Sequence, residues 1–228
     1  MSTVVAERFP TLGDPVAAIR AGEILVNGFP VTNPGALVAR DAAIAHAPPQ
    51  PLAGEAKLAA ALAAFAPRIA GRIALDLGAA AGGFTRVLLA AGARRVYAVD
   101  AGFGQLLGSL RQDPRVVTLE RTNLGALTPA IIPDEIALVT IDVSYLALAR
   151  AVPQLAPLRF ASDAQLIALV KPMYELGLAA PPPDDQLPAA VAAASAGIAA
   201  AGWRVTGVIA SPVTGHHGAK EFLLMGTV

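Results

Sequence analysis

Apolar and polar residues alternate in blocks along most of this 228-residue chain, and the blocks have the lengths of strands and helices. Short apolar runs predict strands over residues 73–77, 95–99, 115–119, 136–141, 165–170, 204–209 and 221–228. Segments with helical spacing separate several of them, and Glu55 to Phe65 and Phe84 to Ala91 are two examples. Strands that alternate with helices are typical of an α/β fold, with a mostly parallel sheet and helices on both faces.

The first 46 residues follow a different pattern. Pro15 to Gly22 predicts a short helix that ends at a glycine. Asn27-Gly28 lies between two apolar runs, which is the strongest short signal for a β-hairpin. A proline-rich stretch then begins at residue 47 and disfavours both helix and sheet. We therefore expect a small α+β unit over 1–46, a linker over 47–56 and a larger domain over 57–228.

A glycine-rich loop follows the first strand of the larger domain, where Leu75 to Thr85 has the pattern Asp-x-Gly-x-x-x-Gly-Gly. It matches neither the phosphate-binding pattern Gly-x-x-x-x-Gly-Lys-Ser/Thr nor the dinucleotide pattern Gly-x-Gly-x-x-Gly. An acid beside closely approaching backbone suits S-adenosylmethionine, whose amino group favours a carboxylate; a glycine-rich turn without a ligand is the alternative. The predicted cofactor residues of this loop are Asp76, Gly78, Ala79, Ala80, Gly82, Gly83 and Phe84.

The next two strand ends supply the other half of a nucleoside site. Asp100 ends the second strand about 20 residues beyond the loop, the separation at which one β-α-β unit brings the two strand ends together. We expect Asp100 to accept hydrogen bonds from the ribose hydroxyls, with Ala101 beside it. Thr122 and Asn123 follow the third strand and could border the adenine, although a polar turn after a strand is an equally good interpretation.

Composition and charge narrow the class of protein. Hydrophobic residues make up 55% of the chain, but no stretch offers 18 uninterrupted strongly apolar residues, so no membrane span is expected. The sequence contains no cysteine and does not open on a signal-peptide pattern, which favours the cytoplasm. Lys and Arg together number 17, as do Asp and Glu, and the first 46 residues carry a net charge of minus one. Charge alone therefore does not indicate a nucleic-acid partner.

Several ordered motifs are similar to those of a known family, and the similarity covers nearly the whole chain. They comprise the hairpin over 21–28, Lys57-Leu58, the glycine loop over 75–85, the stretch over 98–106, Asp113 to Val116, Glu120 to Asn123, Ile141 to Tyr145, Leu169 to Pro172, Ser211-Pro212 and Glu221 to Leu224. On these motifs the chain resembles the TlyA-type branch of the FtsJ-like methyltransferases. The resemblance implies a Rossmann-like methyltransferase domain whose last strand is antiparallel, preceded by a shortened N-terminal S4-like unit. It also implies S-adenosylmethionine-dependent methylation of a ribose 2′-hydroxyl in RNA, with RNA or a ribosomal subunit as partner.

The same resemblance implies four catalytic residues, namely Lys57, Asp142, Lys171 and Glu221. In this assignment Lys171 is the base, Asp142 orients it and also borders the cofactor, and Lys57 and Glu221 complete the charged network. A lysine can act as a base only when burial or a neighbouring cation lowers its pKa. Taken singly, such residues are more often a solvated lysine or a helix-capping acid.

Other features bear on the substrate. Leu52-Ala53-Gly54-Glu55-Ala56 stands where the family usually carries Ser-Arg-Gly-Gly, so a basic substrate contact is missing. Ala219 stands where the family often carries an asparagine, and the S4-like unit lacks most of its first helix. A small-molecule methyltransferase and an RNA-binding protein without turnover therefore remain alternatives. Tyr145 and Tyr174 could stack on a base, or lie in the core or at a rim. His216-His217 is interpreted as loop residues near the substrate, and no metal site is expected.

Overall fold

A computed structural model describes residues 1–47, 51–215 and 218–228. The N-terminal unit contains two helices and a small antiparallel sheet of order β2-β1-β3. Its elements are α1 (Ser2–Arg8), α2 (Pro15–Ala21), β1 (Ile24–Val26), β2 (Phe29–Pro30) and β3 (Ile44–His46). The predicted helix and hairpin are confirmed, whereas α1 and β3 were not predicted.

Local chemistry explains both confirmed elements. The Asp14 side chain caps α2 by accepting hydrogen bonds from Val16 N and Ala17 N, each at 3.0 Å. Gly22 ends the helix with a φ of 78°, in the left-handed region that glycine adopts without a Cβ clash. Asn27 and Gly28 both have positive φ, as a tight two-residue hairpin turn requires.

The larger domain is built on a seven-stranded sheet of order β6-β5-β4-β7-β8-β10-β9. Its strands are β4 (Ile73–Leu77), β5 (Arg95–Val99), β6 (Val116–Leu119), β7 (Ile136–Ile141), β8 (Phe160–Val170), β9 (Arg204–Ala210) and β10 (Phe222–Thr227). Neighbouring strands from β6 to β8 are parallel, and β10 runs antiparallel to both β8 and β9. The predicted fold class, a Rossmann-like sheet with its last strand antiparallel, is confirmed.

Helices cover both faces of this sheet. They are α3 (Ala53–Phe65), α4 (Gly83–Ala90), α5 (Gly108–Arg111), α6 (Leu148–Ala151), α7 (Pro172–Glu175) and α8 (Leu187–Ala200). Successive side chains of a strand point to opposite faces, so Leu75 and Leu77 of β4 pack in one apolar core while Ala74 packs in the other. Among the described residues, none of the helices is both long and apolar enough to cross a bilayer.

Helix α3 begins at Ala53 and therefore takes up the last four residues of the predicted linker over 47–56. The side chain of Glu55 fixes its first turn, because it accepts a hydrogen bond from Leu52 N at 3.1 Å and pairs with Arg86 at 2.6 Å. The backbones of Gly54 and Gly83 meet closely enough that a Cβ at Gly83 would lie 3.0 Å from the Gly54 Cα. This crossing holds α3, which carries Lys57, against the start of α4.

Candidate functional site

The glycine loop lies at the carboxyl end of β4. In the sheet, β4 lies between β5, the next strand along the chain, and β7. Gly78 N and Ala79 N both donate hydrogen bonds to Val99 O, at 2.9 and 3.0 Å. Gly78 has a φ of 81°, and a Cβ there would collide with the carbonyl oxygen of Asp142. Glycine therefore lets the loop pass against the end of β7, at the switch point where open α/β sheets bind ligands.

Asp76 lies beneath the loop and is fully buried. Its two carboxylate oxygens accept hydrogen bonds from the Thr85 hydroxyl at 2.6 Å and the Thr140 hydroxyl at 2.8 Å. Burial raises the pKa of Asp76 to about 6, although the two threonine hydrogen bonds oppose this rise. The side chain is thus satisfied inside the protein and does not line the adjacent cavity, so its predicted contact with the cofactor stays a prediction.

A cavity of about 230 Å³ opens above the loop. Six of the predicted cofactor residues line it, namely Gly78, Ala80, Asp100, Ala101, Thr122 and Asp142. Gln105, Val143 and Ser144 also line it, although sequence reasoning gave them no role.

The remaining predicted cofactor residues that belong to the loop shape it from behind. Ala79 and Phe84 are buried in the core, at 6% and 4% exposure. Gly82 has a φ of 97° and leaves no room for a Cβ against Leu106 and Leu110. Gly83 forms the crossing with α3. Neither these residues nor Asn123 lines the cavity.

The Asp100 carboxylate forms one wall of this cavity and also fixes the loops around it. Its Oδ2 accepts a hydrogen bond from Ala80 N at 2.8 Å, and its Oδ1 accepts one from Gly102 N at 2.7 Å. Each carboxylate oxygen can accept a second hydrogen bond, so two further donors can be bound at the open side. A pair of ribose hydroxyls supplies two such donors.

Two lysine–carboxylate pairs join the four residues that the family resemblance predicts to be catalytic. Lys57 Nζ of α3 lies 2.5 Å from Glu221 Oε2, and the two side chains are only 8% and 6% exposed. Glycine at 215 leaves space for this pair, because a Cβ there would collide with the Glu221 carboxylate. A buried charge pair of this kind depends on both partners, since removing one leaves the other charge uncompensated.

The second pair involves Lys171, which follows β8, and Asp142, which follows β7. Lys171 Nζ lies 2.5 Å from Asp142 Oδ1 and donates a hydrogen bond to Ser144 Oγ at 2.6 Å. Within the described part of the chain, the buried Asp142 Oδ1 accepts no hydrogen bond of acceptable angle, despite the short contact. The lysine amine is therefore held by one charge contact and one directed hydrogen bond. The sequence feature that could have identified Ser144 is its position two residues after Asp142.

A second, larger cavity of about 740 Å³ opens on the other side of Lys171. Lys171, Glu221 and Ser144 all line it, together with an apolar wall that includes Met173 and Pro181. Ser144 lines both cavities, so the two spaces adjoin beside the Lys171 amine. A donor molecule in the smaller cavity and an acceptor in the larger one would thus meet at this amine.

The two candidate tyrosines border these spaces. Tyr145 is 49% exposed and lines the smaller cavity, and Tyr174 is half-buried and lines the larger one. Burial raises the pKa of the Tyr145 hydroxyl, and the nearby Asp100 charge raises it further. His216-His217 lies outside the described residues. Among the residues described, no three His, Asp or Glu side chains are grouped so that they could hold a metal ion.

The smaller cavity fits the chemistry of S-adenosylmethionine. That cofactor presents an ammonium group, ribose hydroxyls and an adenine amine, all of which are hydrogen-bond donors. The cavity wall offers the Asp100 carboxylate as an acceptor, and the glycine loop brings backbone close to a ligand. The residues present are therefore those that a cationic nucleoside requires.

Comparison with known proteins agrees with this geometry. The sequence model of the FtsJ-like methyltransferases matches residues 54–227. The 16S/23S rRNA (cytidine-2′-O)-methyltransferase TlyA of Mycobacterium tuberculosis is 42% identical over 216 residues, which cover 90% of this chain and 80% of the relative.

Solved structures add two further similarities. A Streptococcus thermophilus protein proposed to be a hemolysin is 30% identical, with a TM-score of 0.71, over 98% of this chain and 86% of its own. Aeropyrum pernix fibrillarin, solved with bound S-adenosylmethionine, is 17% identical with a TM-score of 0.57. The match covers 76% of this chain and 75% of fibrillarin, so the two proteins share the fold. The chain belongs to the FtsJ-like family of S-adenosylmethionine-dependent methyltransferases.

Proposed function

We propose that this protein transfers the methyl group of S-adenosylmethionine to a ribose 2′-hydroxyl of ribosomal RNA. One observation carries the proposal: the Lys171–Asp142 pair has one partner in the nucleoside-sized cavity and one in the larger cavity, and Glu221 of the second pair also lines the larger cavity. The identity with a cytidine-2′-O-methyltransferase over 90% of the chain supports the choice of acceptor. Ribosomal RNA or a ribosomal subunit is then the partner, and we expect the reaction to take place in the cytoplasm.

In this proposal Lys171 removes the proton from the acceptor. Bound S-adenosylmethionine supplies an electrophilic methyl group, which the acceptor oxygen attacks in line with the bond to sulfur. The C–O bond would form, the electron pair of the C–S bond would stay on sulfur, and the hydroxyl proton would pass to Lys171 Nζ. Asp142 and Ser144 fix the amine from two directions, which limits the rotation of a long, flexible side chain.

Lys57 and Glu221 act as the second charged pair of the site. Glu221 lines the larger cavity, whereas Lys57 is buried behind it at 2.5 Å. Because the pair is almost fully desolvated, its position is fixed, and the Glu221 carboxylate is held ready to accept a hydrogen bond from the acceptor. We assign these two residues to positioning the acceptor.

The cofactor residues follow from the smaller cavity. Asp100 binds the ribose, the backbone of Gly78 and Ala80 approaches the methionine part, and Thr122 borders the adenine. Asp76 remains a candidate partner for the methionine amino group, acting from beneath the loop. The loop residues that do not line the cavity determine its shape.

The division of the chain into an S4-like unit over 1–46, a linker and the methyltransferase domain is likewise a proposal. The N-terminal unit has its own apolar core, centred on Val5, Ile19 and Ile24. A close contact between Thr32 and Gly108 places the unit against α5. We infer that it helps to position RNA beside the catalytic domain.

Methyl transfer to defined acceptors tests the proposal. The full-length chain is incubated with labelled S-adenosylmethionine and either ribosomal RNA and subunits or an extract of hydroxylated metabolites. We expect label in RNA, at a nucleotide that resists alkaline cleavage because its 2′-oxygen is methylated. Label found only in small molecules would replace this proposal with a small-molecule methyltransferase on the same scaffold.

Variants of Lys171 test the assignment of the base. Lys171→Ala should abolish turnover while the affinity for S-adenosylmethionine, measured by calorimetry, changes little, because the amine acts on the acceptor. The matched control is Lys220→Ala, since Lys220 also lines the larger cavity but is paired with Asp184 at its exposed rim. Equal loss of cofactor binding and turnover in Lys171→Ala would mean that Lys171 shapes the cofactor cavity instead.

A further inference from the structure

Arginines mark the edge of the main sheet that lies opposite the catalytic residues. Five of the six mutually parallel strands either begin on an arginine or follow one directly, and β7 is the exception. The residues concerned are Arg72 before β4, Arg95 in β5, Arg115 before β6, Arg159 before β8 and Arg204 in β9. Arg68 and Arg94 lie close by in sequence, so this arginine edge holds seven of the chain's 14 arginines.

The arginine edge is basic although the protein as a whole is neutral. Four acids lie among its seven arginines, namely Asp113, Asp134, Glu135 and Asp163. The edge therefore has a net charge of plus three, and the rest of the chain must carry minus three, since the total is zero. Six of the seven arginines are exposed, and Arg72 is half-buried.

Ion pairing occupies only some of these charges. Arg68 and Arg72 pair with Asp163, Arg95 pairs with Asp134, and Arg115 pairs with Asp113. By contrast, no carboxylate in the described part of the chain lies within 4 Å of Arg94, Arg159 or Arg204. Arg159 donates only to Pro133 O, and Arg204 only to the Thr227 hydroxyl at 3.4 Å. These three guanidinium groups keep most of their donors for a partner.

The spacing of the arginine edge suits an extended polyanion. Neighbouring strands of a sheet lie about 4.8 Å apart, so the row from β6 to β9 is about 29 Å long. A guanidinium group binds phosphate oxygens through two parallel hydrogen bonds, which makes arginine well suited to a phosphate backbone. We propose that the arginine edge is a second RNA-binding surface, which holds the phosphate backbone of a folded RNA remote from the methylated nucleotide.

This inference rests on the proposed RNA acceptor, and it explains how a neutral protein could hold RNA. Methylation takes place at the carboxyl ends of the strands, so a single short segment of RNA would not reach both edges. A folded RNA can present one segment to the catalytic cavities and another to the arginine edge. Phosphate contacts of this kind contribute affinity without reading sequence.

Helix ends offer a competing explanation for the same arginines. In an α/β unit the helices run opposite to the strands, so their negative carboxyl ends lie at this edge and favour cations there. Arg94 and Arg204, for example, each lie four residues after the last residue of α4 and α8. A purely structural role predicts that neutralising the arginines lowers stability and leaves RNA affinity unchanged.

RNA affinity measured at several salt concentrations separates the two explanations. The test variant combines Arg94→Gln, Arg159→Gln and Arg204→Gln, and the probe is a folded ribosomal RNA transcript followed by fluorescence anisotropy. Each lost phosphate contact should make the plot of log affinity against log salt shallower by about 0.7 to 0.9, so we expect a change of about 2 to 3. The matched control, Glu135→Gln, removes an exposed acid from the same edge and should strengthen binding slightly.

The outcomes distinguish this inference from the proposed function. An unchanged salt slope and affinity in the triple variant, whatever its melting temperature, would overturn the arginine edge as an RNA surface. Weaker binding to whole ribosomal subunits with unchanged binding to free RNA would also overturn it, because the partner would then be a protein. If the slope changes but no RNA is methylated by the wild-type enzyme, the RNA surface stands and the proposed reaction fails.

Discussion

Replacing Asp76 with asparagine should stabilise the protein at neutral pH, because the carboxylate is ionised there inside the core. Asp76 is fully buried and has only two threonine hydroxyls as partners. Its pKa rises from an ordinary value of 3.8 to about 6, chiefly through burial. The folded state therefore binds this proton more tightly than the unfolded state, and the difference corresponds to about 3 kcal/mol.

The sign of the pH dependence follows from that order of pKa values. Above about pH 6 the carboxylate is charged in both states, and the folded protein carries the full penalty of about 3 kcal/mol. As the pH falls from 6 towards 3.8, the folded state takes up the proton first and the penalty fades. Asp76→Asn should therefore raise the free energy of unfolding by about 3 kcal/mol at about pH 8, by roughly half as much at about pH 5, and by less still at lower pH.

Denaturant unfolding of wild type and variant at several pH values checks this expectation. Comparing the two proteins at each pH cancels the surface carboxylates, whose acid titration destabilises both. The matched control is Thr140→Val, which removes one hydroxyl donor of nearly the same shape and should destabilise the protein more at about pH 8 than at about pH 5. An Asp76→Asn variant that is destabilised equally at both pH values would refute the argument from charge burial.

The same variant tests whether Asp76 also serves the cofactor. A cationic amino group close to Asp76 would favour its ionised form, so wild-type affinity for S-adenosylmethionine should decrease as the pH falls through about 6. That dependence should disappear in Asp76→Asn. Calorimetric affinities that match between wild type and variant at both pH values would remove Asp76 from the cofactor site.

Two further substitutions test the site from either cavity. Gly215→Ala should abolish methyl transfer with little change in cofactor affinity, because the new methyl group displaces the Glu221 carboxylate. Gly13→Ala is the control, since its new methyl group meets no atom within 4 Å. Full activity in Gly215→Ala would contradict the fixed position of the Lys57–Glu221 pair. Asp100→Ala should weaken S-adenosylmethionine binding by about 1.5 to 3 kcal/mol in calorimetry, and an unchanged affinity would exclude the ribose assignment.

The order of elements in the catalytic domain could be predicted from the sequence because each strand has an unambiguous apolar signal. Strands β4, β5 and β7 begin and end where their apolar runs do. Parallel central strands are buried on both faces, so their sequences are continuously apolar and stand out from the alanine-rich helices. The N-terminal unit was harder: β3 is three residues long, with two of them exposed, and is stabilised by pairing with β1.

The placement of Asp142, Lys171 and Glu221 at strand ends on one edge of the sheet could also be predicted, because the carboxyl ends of parallel strands meet there, whereas Lys57 lies in helix α3. Their pairing could not. No periodicity in the sequence indicates that Lys57 contacts Glu221 across 164 positions, or that Ser144 accepts the hydrogen bond of Lys171. Such contacts depend on side-chain rotamers and on the space that Gly215 leaves.

Asp76 shows why a motif can identify a residue correctly and still leave its role open. The pattern placed an acid at the end of a strand before a glycine loop, and the structure confirms that position. Strand alternation, however, aims this side chain into the interior, towards Thr85 and Thr140, whereas Asp100 faces the cavity from the neighbouring strand end. The two acids have similar sequence contexts but differ in burial. The partly exposed Asp100 is free to bind a ligand, whereas the buried Asp76 first affects the stability of the loop above it.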